Sequence, residues 1–205
     1  MDKTDVVYHS FDERFFFPED RKIGDKLKVI YLGRLEASKG INNVFQLSKL
    51  LPSVSFEIIG KGKLVDEVLK YTKECNNLHY IGHLSDKAKI AEKLRLCDIL
   101  LLPSKKTENW EELFGMVLIE AMACGCISLT VDHVGPIDIL KNTALEKFIF
   151  KENDFTDSAF QWLKMFSNDI NKLDYYKSES IFAAKKFRLE TISLRWENII
   201  KKVVK

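Results

Sequence analysis

Two glutamates pose the chemical question. Glu112 and Glu120, with seven residues between them, stand in the stretch EELFGMVLIEAMACG. From 113 to 124 the stretch is almost wholly apolar apart from Glu120, whose neighbours one helical turn away are Met116, Val117, Ala123 and Cys124. A helix that is apolar all round is usually buried, and a buried carboxylate is costly unless something hydrogen-bonds to it. Either an arginine or lysine from elsewhere in the chain pairs with Glu120, or the carboxylate faces a ligand. A sugar or ribose diol suits it, because hydroxyls donating to a carboxylate make charge-assisted bonds of roughly 1.5–3 kcal/mol each before desolvation is counted. Glu112 lies in the loop that caps the helix, so both carboxylates can open onto one crevice. Its plainer role is that of Glu111 beside it, an acid favouring the helix dipole. The backbone N–H groups of Phe114, Gly115, Met116 and Val117 point out of the helix N-terminus, a ready anion site.

A second group of residues follows an earlier apolar run. GRLEASKG, residues 33–40, places Arg34 and Lys39 after a glycine. Gly33 lets backbone approach a ligand closely, and two cations there suit a diphosphate. The alternative is a polar loop with surface cations. The segment is not GxGxxG, which argues against a dinucleotide-binding turn. The turn GKGK at 60–63 is weak evidence for a phosphate contact. In IGHL, Ile81, Gly82, His83 and Leu84, the glycine lets a flat ring approach the backbone. None of His9, His79, His83 and His133 has a cysteine, carboxylate or histidine at metal-ligand spacing, so no metal site is expected.

These residues must be positioned by a sheet. Apolar, β-branched runs at 27–33, 55–60, 78–84, 98–104, 126–132 and 145–150 alternate with helical patterns at 41–51, 63–75, 86–97, 113–125 and 136–142. Such alternation predicts an α/β fold: a Rossmann-like parallel sheet with helices on both faces. Ligands of such sheets sit outside the carboxyl ends of the strands, where the loops above fall. Asp86 stands near the start of the third helix, and Gly125 reads as the residue that closes the fourth. Two further helical patterns, at 157–169 and from Tyr175 to the end, add C-terminal helices. Residues 1–26 read as a linker or arm, carrying Phe15, Phe16 and Phe17 in a row. That arm either tucks against its own domain, 27–205, or offers aromatic surface to a partner.

Composition narrows the class. The 205 residues are 46% hydrophobic and 30% charged with a formal charge of +2, so neither nucleic acid nor an acidic membrane surface is the expected partner. Cys75, Cys97, Cys124 and Cys126 form no CxxC pair and read as buried, reduced thiols of a cytosolic protein. No apolar run approaches the length of a membrane span, and MDKTDVVYHS is not a signal peptide.

These residues together resemble a family. EELFGMVLIEAMACG resembles the Glu-x7-Glu signature of retaining GT-B glycosyltransferases of the group 1 type, with Glu112 and Glu120 as its glutamates. GRLEASKG is similar to the family's donor loop, and IGHL, DILLLPS and HVGPIDIL fall in the family's order. HSFDERFFFP resembles the segment leading into the family's second domain, and the last nineteen residues, 187–205, resemble its closing helix. The resemblance implies that Arg34 and Lys39 hold a donor diphosphate and that Glu112 binds donor sugar hydroxyls. It further implies that Phe114, Gly115, Met116 and Val117 contact sugar and phosphate through backbone, that Glu120 binds the ribose, and that Ile81, Gly82, His83 and Leu84 contact the base. Glu112, Arg34 and Lys39 would carry the catalysis, without cofactor or metal. One departure is VGPID, where the family often has Gly-Gly-x-x-Glu: Val134 replaces a glycine and Asp138 the glutamate.

The function expected is therefore the nucleotide-sugar-binding half of a retaining hexosyltransferase, with a glycan or lipid-linked acceptor held by an N-terminal domain that nothing before residue 27 could form. The setting expected is the cytoplasm, at the cytoplasmic membrane face in the full-length enzyme. The alternatives are half of a nucleotide-sugar 2-epimerase, or a non-enzymatic nucleotide-binding module acting through its aromatic arm.

Overall fold

Strands form where the sequence runs apolar and β-branched. The structure, a computed structural model, describes residues 5–20 and 26–203. β1 (Lys28–Leu32), β2 (Ser55–Ile59), β3 (Leu78–Gly82), β4 (Ile99–Leu102), β5 (Ile127–Val131) and β6 (Ile149–Phe150) make one sheet in the order β3-β2-β1-β4-β5-β6. Every pairing is parallel. β4 and β5 are buried along their whole length, as strands covered on both faces must be. The order reverses between β1 and β4, which opens a crevice at their carboxyl ends.

The helices are α1 (Ile41–Leu50), α2 (Val65–Glu74), α3 (Lys87–Leu96), α4 (Met116–Ala123), α5 (Val134–Leu140), α6 (Phe155–Asn168), α7 (Leu173–Ala184) and α8 (Leu189–Val203). On one side Phe45 of α1 stacks on Tyr71 of α2 with centroids 4.0 Å apart, and Asn43 bonds Thr156 of α6. On the other, α3, α4 and α7 converge. The Cys126 thiol donates to the Leu94 carbonyl at 3.0 Å, and the Ser180 hydroxyl to the Cys126 carbonyl at 2.6 Å. At the amino end of β4, fully buried Asp98 accepts from the Lys28 N–H at 2.9 Å and from the Lys177 ammonium at 3.0 Å. That carboxylate ties α7 to the sheet. All four cysteines are buried and none is in a disulfide.

Local signals act as expected at two helix ends. The Asp86 carboxylate accepts the Ala88 N–H at 2.8 Å, an N-cap for α3. Gly125 follows α4 with φ +85°, the left-handed turn that glycine enters without strain.

Two expectations change. The helical pattern running from Tyr175 to the end is two helices, not one. The chain breaks over residues 185–188, where Phe187 is 1% exposed and packs edge-on against Tyr8 and Phe114 at 6.0 and 5.9 Å. Seating that ring in the core turns the backbone, and Arg188 becomes extended. The last strand expected, at 145–150, is mostly a 3-10 turn, Glu146–Phe148, and pairs only through Ile149 and Phe150.

The arm tucks in. Phe11 and Phe16 are 5% and 2% exposed within the core, and the Phe11 N–H donates to the Phe187 carbonyl at 3.3 Å. The Arg95 guanidinium donates to the Phe15 carbonyl at 2.8 Å and lies 4.6 Å from the centroid of the Phe17 ring. The three phenylalanines therefore largely serve their own domain. Residues 1–4 and 21–25 of the expected arm lie outside the described residues.

Candidate donor site

The crevice at the β1–β4 reversal is a cleft of about 430 Å³, a size that suits a small ligand. Its walls include Gly33, Arg34, Lys39, Gly60, Lys61, His83, Leu84, Glu112, Gly115, Met116, Val117 and Glu120. Most of the residues singled out by spacing thus meet in one place, although Arg34 and Glu120 are 86 positions apart in the chain.

Each is set there by its element. After β1, the Gly33 N–H donates to the Ile59 carbonyl at 3.1 Å and the buried Tyr31 hydroxyl donates to the Arg34 carbonyl at 2.7 Å. Burial raises the Tyr31 pKa, which keeps it a donor. A 3-10 turn, Ala37–Lys39, then leads into Gly40, whose φ of +67° starts α1. A Cβ on Gly40 would stand 1.8 Å from the Pro103 carbonyl oxygen. Only glycine lets this loop press so closely on the end of β4, and the Lys105 N–H closes the contact by donating to the Ser38 carbonyl at 2.7 Å.

That contact brings Lys39 to Glu112. The ammonium donates to the Glu112 carboxylate at 2.7 Å, with both side chains about 15% exposed. It also lies 4.1 Å from the centroid of the Trp110 ring, a cation–π geometry. The Ser104 hydroxyl donates to the same carboxylate at 3.4 Å. Arg34 is more open: its guanidinium pairs with Glu36 at 3.0 Å and is 56% exposed.

Glu120 also lines the cleft. Among the described residues none hydrogen-bonds or ion-pairs with its carboxylate. Burial pushes its pKa up to about 7, offset in part by Lys87. The buried ion pair entertained from sequence is therefore not formed with any described residue. Its carboxylate can accept from a ligand.

The structure adds detail to three of the segments read from sequence. α4 begins at Met116, because Gly115 takes φ +83° and its carbonyl accepts the Leu118 N–H at 2.8 Å. The N–H groups left at the helix start on the cleft wall are thus those of Gly115, Met116 and Val117. Phe114 lies outside the helix and off that wall; its ring is stacked on Tyr8 at 5.6 Å and meets His9 at 5.3 Å. Ile81 and Gly82 also lie off the wall, because β3 is still paired there: the Gly82 carbonyl accepts the Gly60 N–H at 2.9 Å. Only His83 and Leu84 of that segment reach the cleft. Asp138, in the place of the family's second-loop glutamate, turns away to accept from the Tyr8 hydroxyl at 3.1 Å and from the Lys141 ammonium. Those donors hold its pKa below the usual carboxylate value.

Some residues of the site escape a reading by spacing. Trp110, Ser104, His133 and Glu152 join it only through contacts between distant segments. A second, larger hollow of about 690 Å³ lies beside the first and shares Glu112, Gly115 and Met116 with it. It is lined mainly by residues 106–114. No group of three or more histidines, cysteines, aspartates or glutamates among the described residues is placed to hold a metal ion, and no described helix is long and apolar enough to cross a membrane.

Comparison with known proteins supplies the family. Residues 12–181 match the family described as glycosyl transferases group 1. The chain is 27% identical to N-acetyl-alpha-D-glucosaminyl L-malate synthase of Bacillus anthracis, over 95% of this chain and 52% of that protein. It is 28% identical to a diphospho-undecaprenol 4-alpha-N-acetylgalactosaminyltransferase of Campylobacter jejuni, over 90% of this chain and 50% of that protein. The chain thus spans about half the length of these curated relatives. The fold superposes on Anabaena HepE, solved with UDP and glucose, at a TM-score of 0.77 with 17% identity, covering 97% of this chain and 57% of that one. It superposes on the C-terminal domain of LpcC, a group 1 glycosyltransferase of Francisella tularensis, at a TM-score of 0.71 with 20% identity, covering 87% of this chain and 99% of that domain. The Rossmann-like sheet is thus that of GT-B glycosyltransferases, and the chain belongs to the group 1 glycosyltransferase family.

Proposed function

We propose that this chain is the nucleotide-sugar-binding half of a retaining glycosyltransferase that moves a hexose-type sugar from a nucleoside diphosphate to a glycan or lipid-linked acceptor. The observation that carries the reading is the mixed polarity of one cleft, which Lys39 and Arg34 from the loop after β1 line together with the half-buried carboxylate of Glu120 and the start of α4. A nucleoside diphosphate carries the complementary groups, an anion and a diol. In this reading Arg34, Lys39 and the N–H groups of Gly115, Met116 and Val117 hold the diphosphate. Glu120 accepts from the ribose hydroxyls, His83 and Leu84 border the base, and Glu112 accepts from sugar hydroxyls.

Lys39 pairs with Glu112 at the cleft. When donor arrives, the ammonium turns from carboxylate to phosphate, and the freed carboxylate takes the sugar. Transfer breaks the bond from the anomeric carbon to the phosphate oxygen, forms one from that carbon to an acceptor hydroxyl oxygen whose proton is released, and leaves negative charge on the diphosphate. Cations and helix N–H groups placed there stabilise that charge most in the transition state, so no metal is required. The curated relatives are about twice as long, so the acceptor is assigned to a further domain, and the chain alone should bind donor without transferring it. Relatives named for diphospho-undecaprenol and for O-antigen biosynthesis support a role in surface polysaccharide synthesis, which we place at the cytoplasmic membrane face.

Titration calorimetry of this chain with UDP, GDP and ADP tests the reading. One nucleotide should bind clearly, and its sugar conjugate should bind more tightly still. Absence of binding to all three would overturn the assignment of the cleft.

A further inference from the structure

The loop between β4 and α4, residues 103–115, carries Glu112 and Trp110, yet it has almost no secondary structure of its own. Apart from a single bridge between Thr107 and Trp110, its shape is imposed from outside. The loop after β1 holds Lys105 and the Glu112 carboxylate, and two later segments hold the β4–α4 backbone further on. The Glu112 N–H donates to His133 Nδ1 at 3.1 Å, and the Glu112 carbonyl accepts the Gly135 N–H at 3.0 Å. Both backbone groups of Glu112 are thus held by the residue that caps α5, His133, and by the first turn of that helix. Behind His133, its Nε2 meets the Glu152 carboxylate at 2.8 Å, and the same carboxylate oxygen accepts the Lys106 N–H at 2.7 Å. The imidazole is 2% exposed and lies edge-on to the Trp110 ring at 6.4 Å.

The geometry dictates the roles. Nδ1 faces a donor, so it accepts, and the neutral ring carries its proton on Nε2, where Glu152 accepts it. The imidazole and the carboxylate therefore form one strut. It fastens Lys106 near the start of the loop and Glu112 near its end.

We propose that His133, braced by Glu152, is a positioning residue that sets Glu112 for the sugar of the donor without touching the nucleotide. This rests on the donor-site reading above. The groups assigned there to ribose and base, Glu120, His83 and Leu84, lie on α4 and after β3, and none contacts the strut. Its loss should therefore separate two affinities that a general loss of structure would lower together.

Glu152→Ala removes both acceptor contacts from a side chain that is 29% exposed, so folding should survive. His133→Ala is the companion variant, and Glu152→Gln keeps an amide oxygen to accept. Calorimetry would use UDP with UDP-glucose, GDP with GDP-mannose and ADP with ADP-glucose, keeping the pair the wild-type chain binds. In both alanine variants, affinity for the free nucleotide should stay within about twofold of wild type, whereas the extra affinity given by the sugar should fall about tenfold, one hydrogen bond's worth of placement. Glu152→Gln should restore it. In ligand-free protein, amide exchange at Lys106 should quicken about tenfold in Glu152→Ala, and at Glu112 in His133→Ala. Unchanged exchange, or sugar and free nucleotide weakened equally, would overturn the strut. Wild-type protein that binds none of the nucleotides would instead overturn the donor-site reading, and the exchange rates would still decide the strut.

Discussion

A chain carrying Arg34→Ala and Lys39→Ala together should bind nucleoside diphosphate two to three orders of magnitude more weakly than wild type. Charge-assisted hydrogen bonds contribute roughly 1.5–3 kcal/mol each, and a tenfold change in affinity is about 1.4 kcal/mol. Lys39 should account for the larger share, because it is 14% exposed, whereas Arg34 is 56% exposed and screened by water and salt. The substitutions should leave the fold intact. Arg34 gives up only an exposed pair with Glu36, and Glu112 keeps the Ser104 hydroxyl when Lys39 is gone. Lys106→Ala is the control, a cation of the neighbouring loop that lines the second hollow but not the cleft. Calorimetry at low and moderate salt reads both terms. If the double variant binds as wild type does, these residues are surface cations and the diphosphate sits elsewhere.

Glu120→Gln should make the protein more stable at pH 8 and worse at its task. Burial pushes the Glu120 carboxyl from the usual 4.5 up to about 7 in the folded chain. Between those values the unfolded chain has lost a proton that the folded chain still holds. Stability therefore falls as pH rises from about 4.5 through 7, and the loss is complete above it. The gap, at about 1.36 kcal/mol per pH unit, is on the order of 3 kcal/mol, and nearer about 2 once solvent in the open cleft is allowed for. Glutamine carries no charge to bury. The variant should melt roughly 4–8 °C higher than wild type at pH 8, and the two curves should converge near pH 4. Nucleotide affinity should drop about ten- to a hundredfold, because an amide oxygen is a weaker acceptor for a diol than a carboxylate. Stabilisation with lost binding is the signature of a residue kept for function. Melting curves that coincide at pH 8 would show that the carboxylate is satisfied in the fold after all.

Much of this arrangement was legible in the chain. Runs such as KVIYL and ILLL are short, apolar and β-branched or leucine-rich, and strands lie within them because a parallel sheet buries both faces. With the strands placed, the loops after β1 and β4 had to meet at the reversal of strand order. That placed Lys39 near Glu112 although 73 positions separate them. What local pattern could not show are the decisions made by long-range contacts. The break at Phe187 depends on a ring meeting Tyr8 and Phe114, at the far end of the sequence and in its middle. The start of α4 depends on Gly115 turning left-handed; the apolar pattern runs on through Leu113 and Phe114 as if the helix did too. The strut of His133 and Glu152 joins three loops, and no spacing rule links a histidine to a backbone N–H 21 residues earlier. Asp138 was marked as a departure from the family pattern, and its bond to Tyr8 gives that departure a partner.

The contact between the Lys39 ammonium and the Trp110 ring has an optical consequence. Indole emission shifts with the charge beside the ring, and here a cation 4.1 Å from the centroid is the one assigned to the diphosphate. Of the other tryptophans, Trp162 is packed among Phe148, Phe166 and Tyr176, and Trp196 is exposed on α8. Both lie outside the cleft and give a steady background. The site therefore carries its own unlabelled probe: movement of one ammonium group would change the colour of the light that Trp110 returns, fast enough to follow ligand arrival in a stopped-flow cuvette.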